Sequence, residues 1–187
     1  PRHFLPLIRR HGLIDPVTDL VLRRALEDAE GWQRNGIHLM VSLNLFAPSL
    51  EDDTLPARVE AMLSQRGLHP DMLTVKITED LPIDRDGRAG RVLAALRAMG
   101  IRIAIDDFGS GYSRLSDLCR LPIDEIKFDE EFVGAVLSDP KVAAVVRSVT
   151  ALAGELGLTT VGEGVRNSET APRPPESGCD TGQGLRS

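Results

Sequence analysis

The sequence predicts a parallel α/β fold, and three observations carry that expectation. Strand-like apolar runs alternate with amphipathic helical segments along the chain. The strand runs begin near residues 38, 73, 101, 123 and 158, so 22 to 35 residues separate their starts, room for a crossover helix each time. Polar groups recur at the carboxyl ends of these runs: Asn44, Glu79, Asp106, Asp107, Lys127, Asp129 and Glu163. A doubly wound sheet and a (β/α)8 barrel both satisfy the alternation, and both collect function at the carboxyl ends of the strands. Polar groups at the same end of successive strands favour a barrel mouth, although 187 residues fall short of the ~250 typical of a full barrel. The expectation is one α/β domain over 1–187, a shortened barrel or one completed outside this chain.

In chain order, a helix is expected over about 17–33, with Leu20, Val21, Ala25 and Ala29 on its apolar face. The run His38–Leu45 reads as a strand. Leu55, Val59, Met62 and Leu63 then lie at i, i+4, i+7 and i+8, one buried helical stripe stopped by Gly67. The next strand is Leu73–Glu79. Val92, Leu93, Leu96 and Met99 repeat the helical spacing, with Gly100 as the stop. Strands follow at Ile101–Asp107 and Ile123–Asp129, with a short helix near Leu115–Leu118 between them. The clearest helix opens at Asp139-Pro140, an N-cap followed by proline in the first turn, and carries Val142, Val145, Val146, Val149, Leu152, Ala153 and Leu156 up to Gly157. A strand at Leu158–Val161 comes next. Pro172, Pro174 and Pro175 rule out a stable helix interior near 167–177, so the C-terminal end is expected to be irregular.

Composition excludes several classes. With 42% apolar and 27% charged residues the chain is too apolar to be disordered, and no apolar run is long enough to span a bilayer. Twenty-eight acidic residues against 22 basic ones, net charge −6, and 4% aromatics argue against a binder of polymeric nucleic acid. Cys119 and Cys179 are too few for a disulfide framework, which points to a cytoplasmic setting, and both are expected to be small packing residues. His3, His11, His38 and His69 show no metal-ligand spacing.

The most informative segment is Asp106-Asp107-Phe108-Gly109-Ser110-Gly111-Tyr112-Ser113. Taken alone, Asp-Asp at a strand end is more often a loop start with a helix cap. Two adjacent carboxylates before a Gly-Ser-Gly loop also suit a pair of divalent cations, one carboxylate bridging both.

The longer pattern decides between these. Asp106–Ser113, then Leu121-Pro122-Ile123-Asp124-Glu125-Ile126-Lys127-Phe128-Asp129, then Val161-Gly162-Glu163-Gly164-Val165, resembles the EAL domains of cyclic di-GMP signalling. Phe4–Leu7 with Gly12–Ile14, Val41–Leu45, Ile77–Glu79, Gly178–Asp180 and Gln183-Gly184 resemble further segments of that family, in order and over almost the whole chain. The resemblance implies a TIM-barrel-like (β/α)8 fold that opens cyclic di-GMP to the linear dinucleotide with Mg²⁺ or Mn²⁺. It implies Asn44 as a metal ligand, Asp106 as the carboxylate shared by two metals, and Asp107 as a ligand of the second. Glu163 is implied as a ligand and general base, and Lys127 as the lysine holding the attacking water. Glu79 is implied to steady the loop after the double Asp, and Gln183 to lie near the substrate. Implied partners are cyclic di-GMP, a second copy in a homodimer, and sensor or diguanylate cyclase domains in a longer protein that can be attached to a membrane.

Three departures temper the implied activity. The Glu-Ala-Leu strand that names the family would fall before residue 1, so the barrel is expected to be incomplete, without its first strand. A metal-ligating Glu of the family is Lys76 here, in Val75-Lys76-Ile77-Thr78-Glu79, and Glu-Gly-Val-Glu has become Glu163-Gly164-Val165-Arg166. An ammonium has donors and no lone pair, so Lys76 cannot ligate a cation. The expectation is a degenerate site: a ligand-binding or interaction module impaired in hydrolysis, with an active phosphodiesterase as the alternative.

Overall fold

The structure, a computed structural model, describes residues 5–78, 86–109, 118–136, 138–163 and 181–183. It divides into two compact units, Pro1–Ile77 with Ile83–Arg102, and Thr78–Pro82 with Ile103–Ser187.

The first unit opens with α1 (Leu5–Arg10) and α2 (Ile14–Arg34). Helix α2 starts three residues earlier than the sequence suggests, because Pro16 is tolerated in a first turn whose N–H groups need no intrahelical partner. That start also moves the buried face. Ile14, Thr18, Leu22, Leu26 and Ala29 point inward, whereas Leu20 and Val21, expected inside, are exposed. Strand β1 (Val41–Asn44) is shorter than the run at His38–Leu45. It pairs in parallel with β2 (Leu73–Thr78), starting at Val41↔Leu73. Pro70 opens a 3-10 turn over Pro70–Met72 just before β2, so His38, Leu39 and Met40 have no β2 residues to pair with.

Helix α3 (Leu55–Ser64) buries Leu55, Val59 and Leu63, and α4 (Arg88–Ala98) buries Val92, Leu93 and Leu96, as their spacing requires. Ala47–Glu51 forms a second 3-10 turn, to which α2 is joined by a buried Thr18–Ser49 hydroxyl contact of 3.0 Å. Arg88 of α4 donates to the Glu51 carbonyl at 3.1 Å.

The second unit contains β3 (Arg102–Phe108) from Ile103 onward, with β4 (Glu125–Phe128), β5 (Thr159–Glu163) and β6 (Thr181–Gln183), paired in that order and all parallel. Helix α6 (Pro140–Glu155) lies against β5 and buries Val146, Val149 and Ala153; Asp139 caps it by accepting from the Lys141 N–H at 2.8 Å. A short helix, α5 (Glu130–Ala135), was not legible from periodicity. Asp129 caps that helix, accepting from the Glu131 N–H at 2.8 Å. Cys119, expected in the core, is exposed. Of the helix expected near Leu115–Leu118 only Leu118 is among the described residues, and it is buried. Cys179 and the proline-rich stretch 167–177 lie outside the described residues.

Asp124 ties the amino ends of three strands together. Its carboxylate accepts the Ile103 N–H at 3.0 Å and its own N–H donates to the Ile103 carbonyl at 2.8 Å. Its carbonyl accepts both the N–H and the hydroxyl of Thr159, at 2.9 and 3.2 Å.

In the first unit, Arg58 of α3 pairs with Asp52 and with Asp19 of α2, the latter at 3.2 Å, and donates to the Thr54 hydroxyl at 2.7 Å. The Arg58 guanidinium, with hydrogen bonds from Thr54, lowers the Asp52 pKa to about 2. Because the folded value lies below the unfolded one, this stabilisation is complete above pH 3.8 and fades as the pH falls toward 2. Asp52→Asn should therefore lower stability by about 1 kcal/mol at neutral pH, the scale of a partly exposed pair. Thermal melts at descending pH should show the variant and wild type converging near pH 2.

Candidate metal centre

Adjacent residues of a regular strand point to opposite faces, so Asp106 and Asp107 could not both serve one ion from an unbroken β3. The backbone breaks the alternation. Ile105 of β3 aligns with Ile126 of β4, but the next aligned pair is Phe108 with Phe128, so β3 spends one residue more than β4 over this interval. The extra residue is accommodated at Asp107, whose φ is +58°, a left-handed conformation that Asp tolerates better than most side chains. The bulge turns Asp107 back toward Asp106.

Glu163, the last residue of β5, completes the cluster. One carboxylate oxygen from each of Asp106, Asp107 and Glu163 lies within 4.8 Å of the others. Opposite ligands around a Mg²⁺ stand about 4.2 Å apart, so small side-chain adjustments bring all three onto one ion. The oxygen-only donor set suits Mg²⁺ or Mn²⁺ and gives a soft metal nothing to prefer.

Three ionised carboxylates this close repel by roughly 3 kcal/mol per pair at an effective dielectric of about 20. Lys127 offsets part of that. It is buried on β4, and its Nζ sits 3.3 Å from Glu163 Oε1. Asp106 is buried as well, at 7% exposure, while Asp107 is exposed and Glu163 partly so. The cluster thus has one sealed wall and one open side.

The other residues that the sequence singles out fall as follows. Asn44, the last residue of β1, and Lys76, within β2, are register partners in the first unit. Partners in register share a face, so Asn44 and Lys76 stand side by side with Ser42 and Thr74, opposite the buried Leu43, Val75 and Ile77. Gln183 is in β6, in register with Glu163. Glu79 and Arg166 lie outside the described residues. Asp129, whose place at a strand end suggested a site residue, caps α5. Sequence reading missed the bulge, since register is a relation between two strands, and it missed Asp124, although the Pro-Ile-Asp spacing before β4 was visible.

A model of the EAL domain family matches residues 1–186, and the chain belongs to that family. It is 39% identical to an uncharacterized signaling protein of Caulobacter vibrioides, over 90% of this chain and 20% of that protein. It is 34% identical to the cyclic di-GMP phosphodiesterase RocR of Pseudomonas aeruginosa, over 98% of this chain and 47% of RocR. Among solved structures, the PaMucR phosphodiesterase in complex with c-di-GMP superposes with a TM-score of 0.87 at 34% identity, over 98% of this chain and 75% of that one. The fold class is therefore that of the TIM-barrel-like EAL domains, and this chain spans about a fifth to a half of these two curated relatives. Among the described residues no helix is long and apolar enough to cross a membrane.

Lys127→Met should expose the repulsion that Lys127 offsets. In chelator the variant is expected to lose about 1 to 2 kcal/mol, less than for a fully buried pair because Glu163 stays partly exposed. Mg²⁺ should then raise its melting temperature more than that of wild type; equal Mg²⁺ shifts would separate Lys127 from the carboxylates energetically.

Proposed function

We propose that this EAL domain binds cyclic di-GMP, holds a single divalent cation at Asp106, Asp107 and Glu163, and is impaired in hydrolysis. The observation that carries this reading is the pairing of Asn44 with Lys76. The resemblance gives Asn44 to a first metal and puts a metal-ligating Glu where Lys76 stands. Exchanging that carboxylate for an ammonium changes the local charge by two units beside the ligand it should assist, and two-metal phosphoryl chemistry needs both ions. The second position keeps its three carboxylates within reach of one another.

A bound Mg²⁺ or Mn²⁺ would neutralise phosphate charge and acidify a bound water. The chain's own groups would do the rest. Glu163 would take a proton from the attacking water, and Lys127, whose Nζ lies 3.3 Å from Glu163 Oε1, would hold that water. Gln183, in register with Glu163, would contact the dinucleotide. The greater length of the relatives supports attachment to sensor or diguanylate cyclase domains, and pairing with a second copy is part of the same reading.

The intact Asp106–Asp107–Glu163 cluster with Lys127 favours a second reading, an active phosphodiesterase. Two measurements separate them. Calorimetry with cyclic di-GMP should show binding, and chromatography should show linear dinucleotide forming slowly or not at all with Mg²⁺ or Mn²⁺. Rapid turnover would establish the second reading, and no binding would sink both.

A further inference from the structure

We infer that Phe132, on the exposed side of the second unit's aromatic cluster, is the positioning residue that holds the Asp106–Asp107 bulge in its metal-ready shape. The inference rests on the cation site proposed above and deepens it. A left-handed Asp107 is a conformation the chain leaves unless neighbours hold it, because an L side chain at φ +58° crowds its own backbone. Two aromatic contacts do the holding, one at each of the two residues that follow.

The first is Phe108. Its ring is buried and meets the Phe128 ring edge to face, with centroids 6.0 Å apart, while its carbonyl accepts the Asp129 N–H at 3.3 Å. The second is Gly109, at φ +102°. Phe132 lies so close over it that a Cβ placed there would stand 3.0 Å from Cγ and Cδ1 of the ring. Only a hydrogen fits between them. Phe132 in turn stacks on Phe128 with centroids 6.1 Å apart and planes at 21°. Phe108, Phe128 and Phe132 therefore clamp the backbone directly after the two carboxylates. Helix α5 carries Phe132 and starts at the Asp129 cap, so the clamp is anchored to β4.

Phe132 offers no ligand atom, and its effect on a cation passes through Gly109 and Asp107. Removing the ring frees Gly109, lets Asp107 relax toward an ordinary strand conformation and swings its carboxylate away from Asp106 and Glu163.

The test titrates the full chain with Mn²⁺ alone, reading free ion by electron paramagnetic resonance, for wild type, Phe132→Ala, Phe132→Leu and Phe132→Tyr. Phe132→Ala should weaken Mn²⁺ binding by about tenfold, the scale found when a supporting group behind a ligand is lost. Phe132→Leu should fall between, and Phe132→Tyr, which keeps the ring face, should bind like wild type. Unchanged Mn²⁺ affinity in both Phe132→Ala and Phe132→Leu, with only the melting temperature lowered, overturns the inference and leaves Phe132 as ordinary packing. If Phe132→Ala does not fold, Phe132→Leu against Phe132→Tyr decides. A wild type that takes up no Mn²⁺ would defeat the cation site rather than the clamp. Amide hydrogen exchange at Asp107–Gly109 then decides, expected to be about tenfold faster in Phe132→Leu, with unchanged exchange overturning the inference.

Discussion

One extra residue in β3 is the constraint on which the acidic site depends. Parallel strands side by side impose strict alternation, and alternation forbids neighbouring residues from facing the same ion. The chain meets both demands by letting β3 keep register with β4 through Ile105, spend one residue out of register, and resume at Phe108. The sheet stays continuous, and two carboxylates that are adjacent in sequence meet Glu163 from β5. The cost is a left-handed Asp107, a residue type that bears it at an expense of about 1 kcal/mol.

The same acidic convergence creates an electrostatic difficulty that Lys127 eases from within the sheet. A buried ammonium is costly by itself and carboxylates in close contact are costly by themselves; together each lowers the penalty of the other. Lysine suits this place better than arginine would, since a compact ammonium reaches Glu163 from β4 without a planar group to accommodate. The chain uses lysine sparingly, at Lys76, Lys127 and Lys141 only, and only Lys127 is shown against the acidic cluster.

Much of this was legible in the sequence. The strands at 73, 101, 123 and 158 lie within about two residues of where apolar runs place them, and the caps at Asp139 and the stops at Gly67, Gly100 and Gly157 mark real helix ends. These signals are local and chemical, which is why they survive folding. What escaped was relational. The bulge exists only between β3 and β4, the true face of α2 depended on where its first turn began, and His38–Met40 lacked a partner because of a proline thirty or more residues away. Helix α5 escaped for a different reason: six residues held by one cap have no period to display. Cys119 followed its residue type's average habit into a core it does not occupy.

The two ends of the second unit's sheet are built from different materials. At the amino ends, Asp124 fastens three strands through four hydrogen bonds made largely by backbone, a join insensitive to which side chains decorate the opposite edge. At the carboxyl ends, the acidic cluster is made of side chains, set in place by the β3 bulge. Selection can therefore rewrite the chemistry of one end while the other keeps the sheet assembled. Carboxylates at the one end could be exchanged one by one, and the strands would still be fastened together at the other.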